Sequence, residues 1–121
     1  MKAIILTLLI AIVTIQACTK PKDSFLQLRV KNSTTINFTN TSTAGAEFGS
    51  INAGAVTGYK NFDQIVAMPG ANFISAKDTT YAGSLYCGTP PLPYLENGKY
   101  TLEIFADAGS YTGYNAKFIK D

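Results

Sequence analysis

From Phe25 onward the hydropathy alternates every second residue, and no window carries the three-to-four-residue spacing of an amphipathic helix. A chain patterned this way buries one face of each strand and must pack sheet against sheet. Leu26, Leu28 and Val30 alternate with Gln27, Arg29 and Lys31, which predicts a half-buried strand. After a turn at Lys31-Asn32-Ser33 the alternation resumes over Thr35-Ile36-Asn37-Phe38-Thr39. The composition of Asn40-Thr41-Ser42-Thr43-Ala44-Gly45 predicts a loop. Further strands are expected over Glu47–Ile51 and over Val56–Phe62, the latter with Val56 and Tyr59 facing the core. Gln64–Met68 is expected to form a hairpin with Asn72–Ala76 across Pro69-Gly70.

The next stretch is less regular. Asp78-Thr79-Thr80 is expected to be exposed, with a strand over Tyr81–Tyr86. Pro90, Pro91 and Pro93 exclude the run from Cys87 to Pro93 from the middle of a sheet, because each proline removes a ladder donor. Glu96-Asn97-Gly98-Lys99 turns the chain into its clearest strand. There Tyr100, Leu102, Ile104 and Ala106 share one face, and Lys99, Thr101, Glu103, Phe105 and Asp107 the other. Ala108-Gly109-Ser110 leads to a last strand carrying Tyr114, Ala116 and Phe118. Seven or eight short strands predict an all-β domain, a two-sheet sandwich or a small barrel. With no tryptophan and no pair of cysteines after residue 18, the antibody-type hallmarks are missing.

Residues 1–18 follow another rule. Lys2 precedes an apolar run from Ala3 to Val13, then Thr14-Ile15-Gln16-Ala17-Cys18. A basic start, a short apolar core and a small residue before a cut site make the layout of a secretory signal peptide. The run is shorter than the about 20 apolar residues that a spanning helix needs. Ile15-Gln16-Ala17-Cys18 resembles the bacterial lipobox, with Gln16 and Ile15 as variants of its usual residues. The resemblance implies cleavage before Cys18, lipidation of its thiol, and a membrane partner reached through the acyl chains. Two or three chains anchor stably, since each buried CH₂ contributes about 0.8 kcal/mol. Three regions are therefore expected: a signal peptide at 1–17, a lipidated N-terminus and tether at 18–24, and a β-sandwich at 25–121. Position 19 is threonine rather than aspartate, and in such lipoproteins this implies the outer membrane of the cell envelope.

Composition narrows the chemistry. With Lys2 set aside, nine basic side chains face eight acidic ones, too even a balance for a nucleic-acid footprint. The chain has no histidine, so the commonest general base and metal ligand is absent. Asp63, Asp78, Glu96, Glu103 and Asp107 are dispersed, and no hydroxyl has a base at a catalytic spacing. Cys87 is alone in the expected mature domain, and Asp107, Ser110 and Asn115 are too sparse for a calcium loop. No enzyme, cofactor or metal site is expected. The Asn-X-Ser/Thr sequons at Asn32, Asn37 and Asn40 are coincidental in a chain with a bacterial leader.

Aromatics are the positive signal. Six of the seven tyrosines lie after residue 80. Tyr81, Tyr86, Tyr94 and Tyr111 fall in or beside loops, and tyrosine is large, rigid and amphipathic. They are expected to form a contact surface for a protein or a glycan partner.

Phe48-Gly49-Ser50-Ile51, Ala53-Gly54, Thr57-Gly58-Tyr59-Lys60-Asn61-Phe62 and Leu95-Glu96-Asn97-Gly98-Lys99-Tyr100-Thr101 resemble a pattern in small Bacteroidota-type envelope lipoproteins. That resemblance implies an immunoglobulin-like sandwich of about seven strands in the cell envelope. The lipobox, the strand pattern and the empty catalytic inventory together lead us to expect a non-enzymatic binding or structural module. The alternative expectation is an accessory subunit of an outer-membrane import or secretion complex. It carries over no site residue.

Overall fold

The computed structural model describes residues 25–83 and 92–121. Eight strands run in chain order: β1 (Leu26–Asn32), β2 (Phe38–Thr43), β3 (Ala46–Ile51), β4 (Lys60–Asn61), β5 (Gly70–Ser75), β6 (Asp78–Gly83), β7 (Gly98–Ala106) and β8 (Tyr114–Lys120). They form two four-stranded sheets, β4-β1-β7-β8 and β3-β2-β5-β6. The all-β two-sheet sandwich follows from the alternation, and the barrel alternative falls.

Each sheet turns its apolar face inward. Leu26, Leu28 and Val30 of β1 and Leu102 and Ile104 of β7 meet Phe38 of β2 and Phe73 of β5, all at most 1% exposed. Burying one such side chain stabilises by about 1.5–3 kcal/mol. The rings of Phe38 and Phe73 stack at 3.9 Å, and Tyr114 of β8 meets both edge-on at 6.4 and 5.3 Å. The sheets are thus bridged by aromatic contacts in offset and edge-to-face geometries, which favour the ring quadrupole.

One pairing has no local signal. β1 lies parallel to β7, in register from Leu26 opposite Gly98 to Asn32 opposite Ile104. All other strand pairs are antiparallel. The β2–β3 hairpin closes through Ala44 and Gly45 at φ of 52° and 77°. Positive φ at both central residues matches the twist of the flanking strands, and glycine reaches it without strain.

Several expected elements are corrected. The strand placed at 35–39 begins at Phe38 and continues to Thr43, through residues whose composition read as loop. Asn40, at φ 48°, provides a bulge at which the pairing with β3 shifts register. Beyond it Thr41 and Thr43 point inward and are buried. The strand expected at 56–62 shrinks to two residues, and Val56 is 48% exposed rather than core. There Thr57 bonds Val30 twice, through its backbone N–H to the Val30 carbonyl and through its hydroxyl from the Val30 N–H. A side chain has replaced a ladder carbonyl, which interrupts the pairing with β1 until Lys60 and Asn61.

The expected hairpin of 64–68 with 72–76 does not form. β5 pairs with β2 and β6 instead. Residues 62–68 cross from the first sheet to the second, and Ile65 enters the core at 3% exposure. The crossing is tied to 93–95 by Ala67 N–H to Pro93 O and Leu95 N–H to Ile65 O. β6 starts at Asp78, three residues before the expected strand, whose end lies outside the described residues.

Candidate functional site

Two surface constellations stand out, one on the outer face of the first sheet and one where the sheets meet at β6 and β8.

On the first sheet, alternation sends Arg29 of β1 and Thr101 of β7 outward, directly opposite each other in the parallel register. Arg29 Nε donates to Thr101 Oγ1 at 2.9 Å, and Thr101 donates to the Asp121 carboxylate at 2.8–2.9 Å. Tyr59 Oη donates to the same carboxylate at 2.6 Å, while the Arg29 guanidinium lies 4.7 Å above the Tyr59 ring. Lys99 Nζ sits 5.4 Å from that ring. Burial alone would raise the Asp121 pKa, but the hydrogen bonds from Tyr59 and Thr101 and the Arg29 and Lys99 charges outweigh it and hold the carboxyl below the usual range. The same bond to Asp121, which stabilises the protonated phenol, raises the Tyr59 pKa above its ordinary value. The Asp121 carboxylate thus takes hydrogen bonds from both Tyr59 and Thr101. The arrangement clamps Tyr59 and Asp121 onto the sheet. Tyr59, expected in the core, serves this outer face instead.

The second constellation is a groove of about 560 Å³. Tyr81 and Gly83 of β6 line one side, and the β7–β8 turn lines the other with Asp107, Gly109, Ser110, Tyr111 and Thr112, joined by Asn115 of β8. The turn is built by Asp107. Its backbone carbonyl accepts from Ser110 N–H, its N–H donates to Gly113 O, and its side chain accepts from Gly109 N–H at 3.0 Å. Asn115 Nδ2 donates to the other Asp107 oxygen at 3.1 Å, across the hairpin. Thr112 Oγ1 donates to Tyr81 O at 2.6 Å, which pins the turn to the second sheet. Tyr81 lies over the paired glycines Gly70 and Gly83, where a methyl group on either would meet the Tyr81 hydroxyl. Tyr111 is fully exposed.

Of the tyrosines singled out from the sequence, Tyr81 and Tyr111 share this groove. Tyr94, 55% exposed, lines a different cavity of about 250 Å³ with Val66, Met68 and Phe118. Tyr86 lies outside the described residues, as do Cys18 and Cys87. Asp107 and Asn115 were legible only as isolated polar residues; eight positions apart in sequence, they are brought together by the hairpin. Among the described residues no three His, Cys, Asp or Glu side chains gather in a metal-holding arrangement. The sequon asparagine Asn32 is fully buried, whereas Asn37 and Asn40 are exposed.

No protein-family model matches the chain, and no curated protein is similar to it in sequence.

Proposed function

We propose that the chain is a lipid-anchored cell-envelope lipoprotein whose β-sandwich is a non-enzymatic binding module. The observation that carries this reading is the order of residues 1–18: one lysine, an apolar run, Ala17 and Cys18. The fold is compatible with it. β1 begins at Leu26, so residues 18–24 separate the acylated cysteine from the sandwich and span at most about 25 Å when extended. The body is thereby held close to the bilayer, in the outer membrane on the reading of Thr19. The binding role rests on the groove beside Tyr81 and Tyr111.

Two measurements test the anchor. The intact mass of the purified protein should equal residues 18–121 plus two or three acyl chains. Cys18→Ser should leave the precursor uncut or release the protein from the membrane fraction. A Cys18→Ser protein that is cut at the same bond and still sediments with lipid would refute the proposal.

A further inference from the structure

The groove between β6 and the β7–β8 turn narrows the binding role to one ligand chemistry. We infer that it is a saccharide site, in which Asp107 and Asn115 hold adjacent hydroxyls of a neutral sugar and Tyr111 covers its apolar face. This inference rests on the binding-module reading and names the class of ligand.

Three observations converge. The first is the polar pair. Asp107 already receives N–H groups from Gly109 at 3.0 Å and Asn115 at 3.1 Å, which fix its orientation. Asn115 Oδ1 accepts from Ala116 N–H at 2.9 Å, so its amide is fixed as well. A carboxylate has about four acceptor positions and an amide nitrogen two donor hydrogens. Acceptor capacity therefore remains on Asp107, and one donor remains on Asn115 beside it. A sugar hydroxyl donates to the first and accepts from the second. A metal ion would meet N–H hydrogens directed at both carboxylate oxygens and would need more oxygen ligands than the pair supplies.

The second observation is Tyr111. Its side chain is 100% exposed and is presented at the tip of a turn whose base is held by Asp107, Ser110 and Thr112. A rigid turn that projects an aromatic ring into water offers a flat apolar surface at small entropic cost. The C–H face of a pyranose ring matches it. The third is the groove itself. Its volume of about 560 Å³ falls within the about 300–1,000 Å³ of small-ligand sites. An added peptide strand is disfavoured, because Thr112 Oγ1 already occupies the edge-facing carbonyl of Tyr81.

The test uses the full-length protein, ¹⁵N-labelled and purified in a detergent without a sugar headgroup. Cello-, malto-, manno- and chito-oligosaccharides are titrated in turn, followed by calcium chloride. At least one oligosaccharide should shift the amides of Tyr81, Gly83, Asp107, Tyr111 and Asn115 saturably. Tyr111→Ala should weaken that binding by about tenfold or more, as removal of a central aromatic contact does, without disturbing the rest of the spectrum. Asp107→Asn should weaken it as well, since the amide oxygen can keep the Gly109 bond while an NH₂ faces Asn115 Nδ2 in place of an acceptor. The inference is overturned if no oligosaccharide moves these amides, if binding survives Tyr111→Ala unchanged, or if calcium alone moves them. If no sugar moves these amides, the saccharide site falls while the lipid-anchor reading, tested by the mass at Cys18, stands; if calcium alone moves them, the groove still binds a ligand and only the sugar class falls.

Discussion

Asn32 is the polar residue on which the β1 end of the sandwich depends. It is fully buried, and its side-chain amide is saturated. Nδ2 donates to Ile36 O at 2.7 Å and to Ile51 O at 3.1 Å, and Oδ1 accepts from Thr34 N–H at 3.0 Å and Thr34 Oγ1 at 2.6 Å. Four bonds thus hold the β1–β2 connection against the end of β3. Asn32→Leu keeps the size and removes them all. At about 0.5–1.5 kcal/mol each the loss is about 2–6 kcal/mol, and the apolar side chain returns about 1–2 kcal/mol. The central values leave a net destabilisation of about 2.5 kcal/mol, or a fall in Tm of roughly 10–20 °C for a domain of this size. Asn32→Asp sharpens the test, because it keeps the shape but turns an oxygen toward two carbonyls. Burial and those carbonyls raise the folded-state pKa of the new carboxyl above the unfolded value of about 3.9. The folded protein then binds more protons than the unfolded one between the two pKa values. Stability should therefore fall as pH rises through that window, by up to about 1.4 kcal/mol per unit, and level off above the folded pKa. Urea unfolding followed by far-ultraviolet circular dichroism and tyrosine fluorescence, from about pH 3 to 8, measures both variants against the parent. A cost below about 1 kcal/mol for Asn32→Leu, or a pH-independent penalty for Asn32→Asp, would refute the assignment.

Two further outcomes are expected. Thr41 is fully buried with no hydrogen-bond partner for its hydroxyl among the described residues, so Thr41→Val should leave stability unchanged or raise it by up to about 1–3 kcal/mol; a clear loss in the same urea assay would mean that the hydroxyl is bonded in solution. The Asp121 carboxyl, held below the usual range, should titrate closer to an ordinary aspartate in Tyr59→Phe when followed by carboxyl-carbon NMR. Because its folded pKa is the lower one, the stability it contributes is present above the unfolded pKa and is lost as pH falls through the folded one. An unmoved titration would show that the Tyr59 bond does not bear on it.

Alternation with period two is a local property, and it was enough to place β1, β3, β7 and β8 and to read the inward faces of β1, β7 and β8. β1 is buried at Leu26, Leu28, Val30 and Asn32, and β7 at Tyr100, Leu102 and Ile104, because the pleat points neighbouring side chains to opposite sides. Composition misled where one residue broke the pleat. Asn40 lets a Thr- and Ser-rich segment continue as a bulged strand, and the Thr57 hydroxyl interrupts the pairing of a segment that the pattern reads as one strand. The pairing of strands is a different kind of information. That β1 lies parallel to β7, or that β5 leaves residues 64–68 for β2 and β6, depends on contacts between residues far apart in the chain, which no short window contains. The same holds for the groove. Tyr81 and Tyr111 stood out as aromatic residues near turns, but their meeting, and the joining of Asp107 to Asn115, needed the β7–β8 hairpin to be folded and pinned by Thr112 against β6. Hydropathy order along the chain chose strands over helices; long-range packing chose their partners, and with them the side chains that share a surface.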